Sequence, residues 1–181
     1  RSGRIDLGDA LLNTSIGEGA GDAHTTGDKN VAVGYAALTA NTTGSSNTAV
    51  GREALLVNTT GTKNTAIGNN ALDANTTGAQ NISVGSGSLG ANTTGDDNTA
   101  LGAGALESNT TAANNTAVGK WALTTNTTGA SNTSVGSQAL RLNTTGAQNT
   151  AVGLNAMAAN TTGEDSVAVG AYALDANTTG N

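Results

Sequence analysis

The feature that most constrains the fold of this chain is a 17-residue unit that recurs without insertion or deletion. The unit reads NTAVGREALLVNTTGTK at residues 47–63. Nine copies are complete and a tenth ends one residue short, with copies beginning at Asn13, Asn30, Asn47, Asn64, Asn81, Asn98, Asn115, Asn132, Asn149 and Ser166. A short repeat of fixed period predicts a solenoid, because each copy must bury its apolar face against its neighbours.

The copies form an internal alignment, whose columns we number 1 to 17. Position 4 is always Val, Ile or Leu, and position 9 is Leu in eight copies, so these columns are predicted to form the core. At position 4 the predicted core residues are Val33, Val50, Ile67, Val84, Leu101, Val118, Val135, Val152 and Val169. At position 9 they are Leu38, Leu55, Leu72, Leu89, Leu106, Leu123, Leu140 and Leu174.

The charged residues identify the solvent-facing columns. All 16 charges of the repeats occupy position 6, 7, 10, 16 or 17, which is expected because burying an unpaired charge is costly. The run N-T-A-V followed by Gly predicts a short strand, A-L-x-x a second one, and N-T-T-G a corner. The predicted fold is an all-β parallel β-solenoid (a β-roll or β-helix) with one repeat per coil, strengthened by ladders of stacked Asn amides.

Two segments follow from this pattern. Residues 1–12 form an atypical lead-in, and residues 13–181 form one solenoid. The last copy breaks off within a unit, so we expect a segment of a longer fibre whose open rungs associate end to end.

Positions 3 and 8 contain only Ala or Ser in every copy. If positions 2 and 4 face the core, position 3 faces outward, and an outward column of small residues favours close packing against another copy of the chain. This pattern predicts a homotrimeric fibre. The alternative is that position 3 also faces inward, at a tight part of the coil.

The runs NTAVGREALLVNTTG at Asn47–Gly61 and NTSVGSQALRLNTTG at Asn132–Gly146 resemble a repeat of bacteriophage tail-fibre-like proteins and related bacterial surface proteins. The run SVAVG at Ser166–Gly170 is similar to the strand motif of trimeric autotransporter adhesin heads, whose unit is shorter than this one. The resemblance implies a fibrous, trimeric, extracellular β-structure on a virion or bacterial cell surface, used for attachment.

The sequence offers little for catalysis, and we expect neither an enzyme, a cofactor nor a metal site. His24 replaces the usual Asn of its column and is interpreted as a corner residue. The pairs Asp96–Asp97 and Glu164–Asp165 are interpreted as solvated surface. A net charge of −6 without a basic stripe disfavours nucleic acid as a partner, and no apolar run is long enough to insert into a membrane.

These observations favour a structural fibre or adhesin shaft that presents a surface for attachment to a host cell or another surface through an unknown receptor. The alternatives are an ice-binding solenoid with stacked Thr columns, a purely structural extracellular filament, or an enzyme on a β-helix. Tyr35, Trp121 and Tyr172 lie at position 6 or 7 and are the candidate exposed contact residues. Neutral surface variation is the favoured interpretation of these aromatics.

Overall fold

A computed structural model describes the backbone of residues 5–7 and residues 11–180 in full. Within these residues the protein is all-β and contains no helix. Eleven three-residue strands form one sheet in sequence order: β1 Ile5–Leu7, β2 Thr14–Ile16, β3 Val31–Val33, β4 Thr48–Val50, β5 Thr65–Ile67, β6 Ile82–Val84, β7 Thr99–Leu101, β8 Thr116–Val118, β9 Thr133–Val135, β10 Thr150–Val152 and β11 Val167–Val169.

Strands β2 to β11 are parallel, and each pairs with the strand one repeat further along the chain. In the β4–β5 pair, for example, Thr48 lies opposite Thr65 and Val50 opposite Ile67. One 17-residue repeat therefore forms one coil, which confirms the predicted β-solenoid. We number the coils one to ten from Asn13. With a spacing of about 4.8 Å between neighbouring strands, the ten coils form a rod roughly 43 Å long.

The lead-in contributes the only antiparallel pairing among the described strands. Strand β1 runs antiparallel to β2, with Ile5 opposite Ile16 and Leu7 opposite Thr14. The first coil therefore does not leave the backbone groups of β2 open along that edge.

The prediction of a second strand in A-L-x-x is wrong. Positions 6 to 11 form turns in which positions 7 and 9 have positive φ, as in Glu53 (58°) and Leu55 (51°). The Glu53 N–H donates to Tyr35 O in the preceding coil, whereas the Leu55 N–H donates to Ala71 O in the following coil. A left-handed Leu costs about 1–2 kcal/mol, and complete burial of its side chain is worth a similar amount.

The predicted burial of position 4 is also wrong. Position 3 faces the interior, so the alternation of side chains along a strand turns positions 2 and 4 outward. Ile67, Leu101 and Val169 are 41%, 48% and 70% exposed. None of the predicted position-4 core residues is fully buried: Val33, Val50, Ile67, Val84, Leu101, Val118, Val135, Val152 and Val169.

The actual core combines positions 3, 8 and 9. The Leu column is completely buried at Leu38, Leu55, Leu72, Leu89, Leu106, Leu123 and Leu140, with Met157 in the same column. Leu174, in the tenth coil, is 52% exposed because the described residues place no further coil over it. Positions 3 and 8 face each other inside the coil, as shown by Ser134 Oγ, which donates to Ala139 O at 2.8 Å. The small residues are therefore explained within one chain, as the inward-facing alternative predicted.

Two ladders of buried Asn side chains run along the rod, as the stacked-amide prediction required. In the position-12 ladder, Asn58 Nδ2 donates to Asn41 Oδ1 at 2.8 Å and to Gly61 O at 3.1 Å. In the position-1 ladder, Asn47 Nδ2 donates to the same Gly61 O at 2.9 Å, while Asn30 Oδ1 accepts the Asn47 N–H. These bonds satisfy the polar groups that the corner buries.

Candidate interaction surfaces

The first outward surface is the strand face, which consists of positions 2 and 4 of strands β2 to β11. Position 2 is Thr in seven copies and Val or Ile in the other three, and position 4 is always aliphatic. No charged residue occurs in either column. The face is therefore an uncharged strip along the whole rod with a continuous aliphatic column at position 4, and exposed apolar surface of this kind is typical of contact sites.

The second surface is a column of Thr at position 14. It is exposed in every coil: Thr26, Thr43, Thr60, Thr77, Thr94, Thr111, Thr128, Thr145, Thr162 and Thr179. The adjacent position-13 hydroxyls are used internally, since Thr59 Oγ1 donates to Thr76 O at 3.1 Å. The two Thr of each N-T-T run thus have different roles, one structural and one facing solvent.

The same corner explains why the N-T-T runs match the glycosylation sequon. The Asn of these runs is buried in coils two to nine and is held in the position-12 ladder. Asn92, for instance, donates to both Asn75 Oδ1 and Gly95 O. An amide nitrogen held in this way is not accessible for modification in the folded protein.

The third surface is a trough between the side chains of position 7 and those of positions 10 and 11. It holds three depressions in succession. The first, of about 430 Å³, spans coils four to six and is lined by Asn70, Asp73, Gly90 and Glu107, among others. Glycine at positions 7 and 10 of coil five removes the side chains that would fill this depression.

The second depression spans coils seven and eight. It has a volume of about 270 Å³ and is lined by Trp121, Thr124, Thr125, Gln138 and Arg141. We call it the basic groove. A third depression of about 250 Å³ follows in coils eight to ten, with Arg141, Asn155, Tyr172 and Asp175 in its lining. Arg141 therefore borders both the basic groove and the third depression.

The structure places the three candidate aromatic residues in two different environments. Trp121 and Tyr172 both occupy position 7 and border neighbouring depressions of the trough. Tyr35 lies five coils before Trp121 at position 6, where the Arg52 guanidinium is 6.0 Å from its ring. Trp121 and Tyr172 therefore both border the trough, whereas Tyr35 lies elsewhere on the surface.

Sequence reasoning missed Gln138 and Arg141 as neighbours of Trp121. Positions 7 and 10 of adjacent coils meet only because the turn at positions 7 to 9 folds back, and the sequence did not reveal that turn. One signal was present, however: residues 108–163 contain Lys120 and Arg141 but no Asp or Glu.

The carboxylates lie on the surface, and none of the charged residues between positions 13 and 180 is buried. Asp96 Oδ1 accepts the Ala79 N–H at 2.7 Å, and Asp97 Oδ1 accepts Gln80 Nε2 at 2.6 Å. A hydrogen bond with Ser45, together with the adjacent Lys29, lowers the pKa of the Asp28 carboxyl. An exposed carboxyl with a lowered pKa is ionised at neutral pH, which is the opposite of what a general acid requires.

His24 stands at position 12, where coils two to nine have the Asn of the ladder, and is partly buried there. Within the part of the chain that the structure describes, no three His, Cys, Asp or Glu residues are close enough to hold a metal ion. The same part contains no helix with the length and apolar character needed to cross a membrane.

Comparison with known proteins yields no match to a protein-family model, to a curated protein or to a solved structure.

Proposed function

We propose that this chain is the shaft of an extracellular fibre of the tail-fibre or adhesin type, which extends and presents a surface for attachment and carries out no catalysis. The observation that carries the proposal is the continuity of bonding along the rod. Each coil joins the next through parallel strands, turn hydrogen bonds and two buried Asn ladders. Such a rod is stiff, and its length depends on the number of repeats.

The strand face is the surface that we assign to self-association. Its aliphatic side chains at position 4 are uncharged in all ten coils, whereas charges occur at positions 6 and 17 on either side. Three copies packed around a common axis through this face would bury these side chains, in line with the trimer implied by the resemblance. The small residues of positions 3 and 8 no longer support the trimer, because they are inside the coil.

The same resemblance supports an extracellular location on a virion or bacterial cell surface. In this arrangement the trough and the exposed Thr column, which are not part of the strand face, remain available to a receptor. Variation among the repeats includes positions 7 and 10, which border the trough, whereas the Thr column is the same in all ten copies. The shaft would therefore combine constant packing residues with a variable outer surface.

Deletion of whole repeats tests the shaft. Removal of residues 64–114, which comprise three complete coils, is expected to shorten the particle by about 14 Å in electron micrographs and to preserve cooperative unfolding. Removal of residues 64–110 is the matched control, because it leaves residues 111–114 as an extra segment between coils three and seven, which should disturb their stacking and lower the free energy of unfolding relative to the in-register deletion. Beads coated with the chain should also adhere to cells or matrix more than beads coated with the register-shifted variant. An in-register deletion that unfolds the rod, or beads that do not adhere, would contradict the proposal.

A second candidate is ice binding, and the strand face is the observation that favours it. Thr at position 2 and an aliphatic residue at position 4 form two straight outward columns with the regular spacing of the coils. Thermal hysteresis of the purified chain separates the two candidate functions. A freezing-point depression that is lost in Thr116→Lys supports ice binding. A native chain that shows no thermal hysteresis favours the shaft.

A further inference from the structure

The basic groove lies in the longest stretch of the repeats that contains no acidic residue. The chain has a net charge of −6, yet residues 108–163 contain Lys120 and Arg141 and no acidic residue. The preceding depression of the trough is bordered by Asp73 and Glu107. An anionic group is therefore attracted to Arg141 and repelled from the first depression, whose Glu107 carboxylate also lies beside Trp121 at the edge of the basic groove.

Trp121 is held in place at one side of this groove. The Lys120 Nζ lies 3.9 Å from the centre of the indole ring, a cation–π distance. The ring also lies against Gly104, where an added Cβ would be 2.6 Å from Trp121 Cδ1. Although 41% exposed, the indole is thus fixed by its neighbours, which reduces the entropy cost of binding a ligand against it.

The remaining groove residues are polar. Thr124 Oγ1 donates to Gly104 O and Thr125 Oγ1 donates to Arg141 O, so both hydroxyls keep lone pairs that can accept a hydrogen bond. Gln138 adds an amide, and Arg141 adds a guanidinium, whose planar donors match a carboxylate or sulfate.

We propose that the basic groove binds an anionic oligosaccharide. A pyranose ring packs its C–H face on the Trp121 indole, its hydroxyls bond Gln138 and the Thr hydroxyls, and its acidic group pairs with Arg141. The groove holds about 270 Å³ and continues past Arg141 into the depression bordered by Asn155, Tyr172 and Asp175, where the carboxylate can accept hydrogen bonds from sugar hydroxyls. Trp121 and Tyr172 are three coils or roughly 14 Å apart, so the ligand is a linear chain lying along the rod. The inference rests on the attachment role proposed above and names the chemistry of the receptor.

Trp121 is the single tryptophan of the chain, so fluorescence excited selectively at tryptophan, and not at Tyr35 or Tyr172, reports on this groove alone. The probes are an oligogalacturonate of four to six residues, its fully methyl-esterified form as the neutral match, and a sulfated dextran oligosaccharide. Saturable quenching or a spectral shift with the oligogalacturonate or the sulfated probe is expected, and the stronger of the two identifies the acidic group. The methyl ester is expected to bind at least about tenfold more weakly.

Two variants test whether the fluorescence change arises from binding in the basic groove. Arg141→Gln should weaken binding about tenfold or more, whereas Lys63→Gln, which removes an exposed positive charge in coil three, should change it less than about twofold. Circular dichroism of both variants checks that they fold.

The proposal is overturned if neither acidic probe binds, if the methyl ester binds equally well, or if Arg141→Gln has no effect. It is also overturned if a hexathymidylate binds more tightly than both saccharides, because the groove would then be a nucleic-acid site. The deletion experiment on rod length does not depend on any of these titrations, so the shaft and the groove can fail separately.

Discussion

The Ser83 hydroxyl oxygen lies 2.6 Å from the Ser88 hydroxyl oxygen across the interior of coil five. Ser83 is at position 3 and Ser88 at position 8, so the strand and the turn that follows it are in direct contact. The interior at this level has room for one small side chain from each wall. This contact explains why both columns contain only Ala and Ser, and it assigns them to the core of a single chain.

The narrow interior predicts opposite responses at neighbouring positions. Ala117→Leu in strand β8 introduces three extra carbons between the walls and should reduce the free energy of unfolding by about 3 kcal/mol or prevent folding. Val118→Leu, one residue further on, adds one methylene on the outward side and should change stability by less than about 0.5 kcal/mol. Thermal unfolding, monitored by circular dichroism, measures the stability of both variants. If Ala117→Leu and Val118→Leu lose the same stability, position 3 faces outward and the account of the interior is wrong.

The Asn ladder predicts a large effect from a polar residue. Asn92 donates to Asn75 Oδ1 and Gly95 O and accepts from Asn109 Nδ2 at 2.9 Å, so Asn92→Ala leaves buried partners unpaired. We expect a loss of about 2–4 kcal/mol, in chemical denaturation, for these unsatisfied groups. Thr94→Ala in the same corner removes only an exposed hydroxyl and should be nearly neutral. A small effect of Asn92→Ala would mean that water satisfies the hydrogen-bond partners that Asn92 leaves behind.

The structure predicts that a Gly→Ala substitution costs different amounts of stability at two glycines. Gly119 has φ 132°, and an added Cβ would collide with the backbone of Gly136 in the next coil, so Gly119→Ala should cost about 3 kcal/mol or more. Gly87 has φ 65° with open space around it, and Ala36 occupies the equivalent position in coil two. Gly87→Ala should therefore cost about 1 kcal/mol or less. Similar melting temperatures for the two variants would contradict the close stacking of position 5.

The repeat pattern predicted the fold class, the single coil per repeat and the Asn ladders, because all three depend on period and on residue type. It assigned position 4 to the core because an invariant aliphatic column normally indicates burial. In this rod, however, Val118 and its counterparts are on the outer side of a strand whose inner side has room only for Ala or Ser. Nor could the sequence reveal that Leu55 or Leu123 adopts positive φ, because Leu rarely does so without the packing of neighbouring coils.

The same turn geometry explains what was missed at the candidate site. Trp121 was recognised as exposed from its column, but Arg141 lies 20 positions later in the chain, and a strand at positions 8 to 11 would have separated the two. Because the chain folds back at positions 7 to 9, both border the basic groove. Besides Trp121 itself, the acid-free stretch between residues 108 and 163 was an indication of this site in the sequence.

The proposed trimeric form of the shaft depends on self-association through the strand face. Static light scattering of the native chain at micromolar concentration is expected to give three times the 17.4 kDa chain mass. Val118→Lys places a charge on the strand face and should give the mass of one chain. Thr128→Lys places the same charge on the exposed Thr column of the same coil and should leave the assembly intact. A native chain that scatters as a monomer, or a Val118→Lys variant that assembles as the native chain does, would contradict the account.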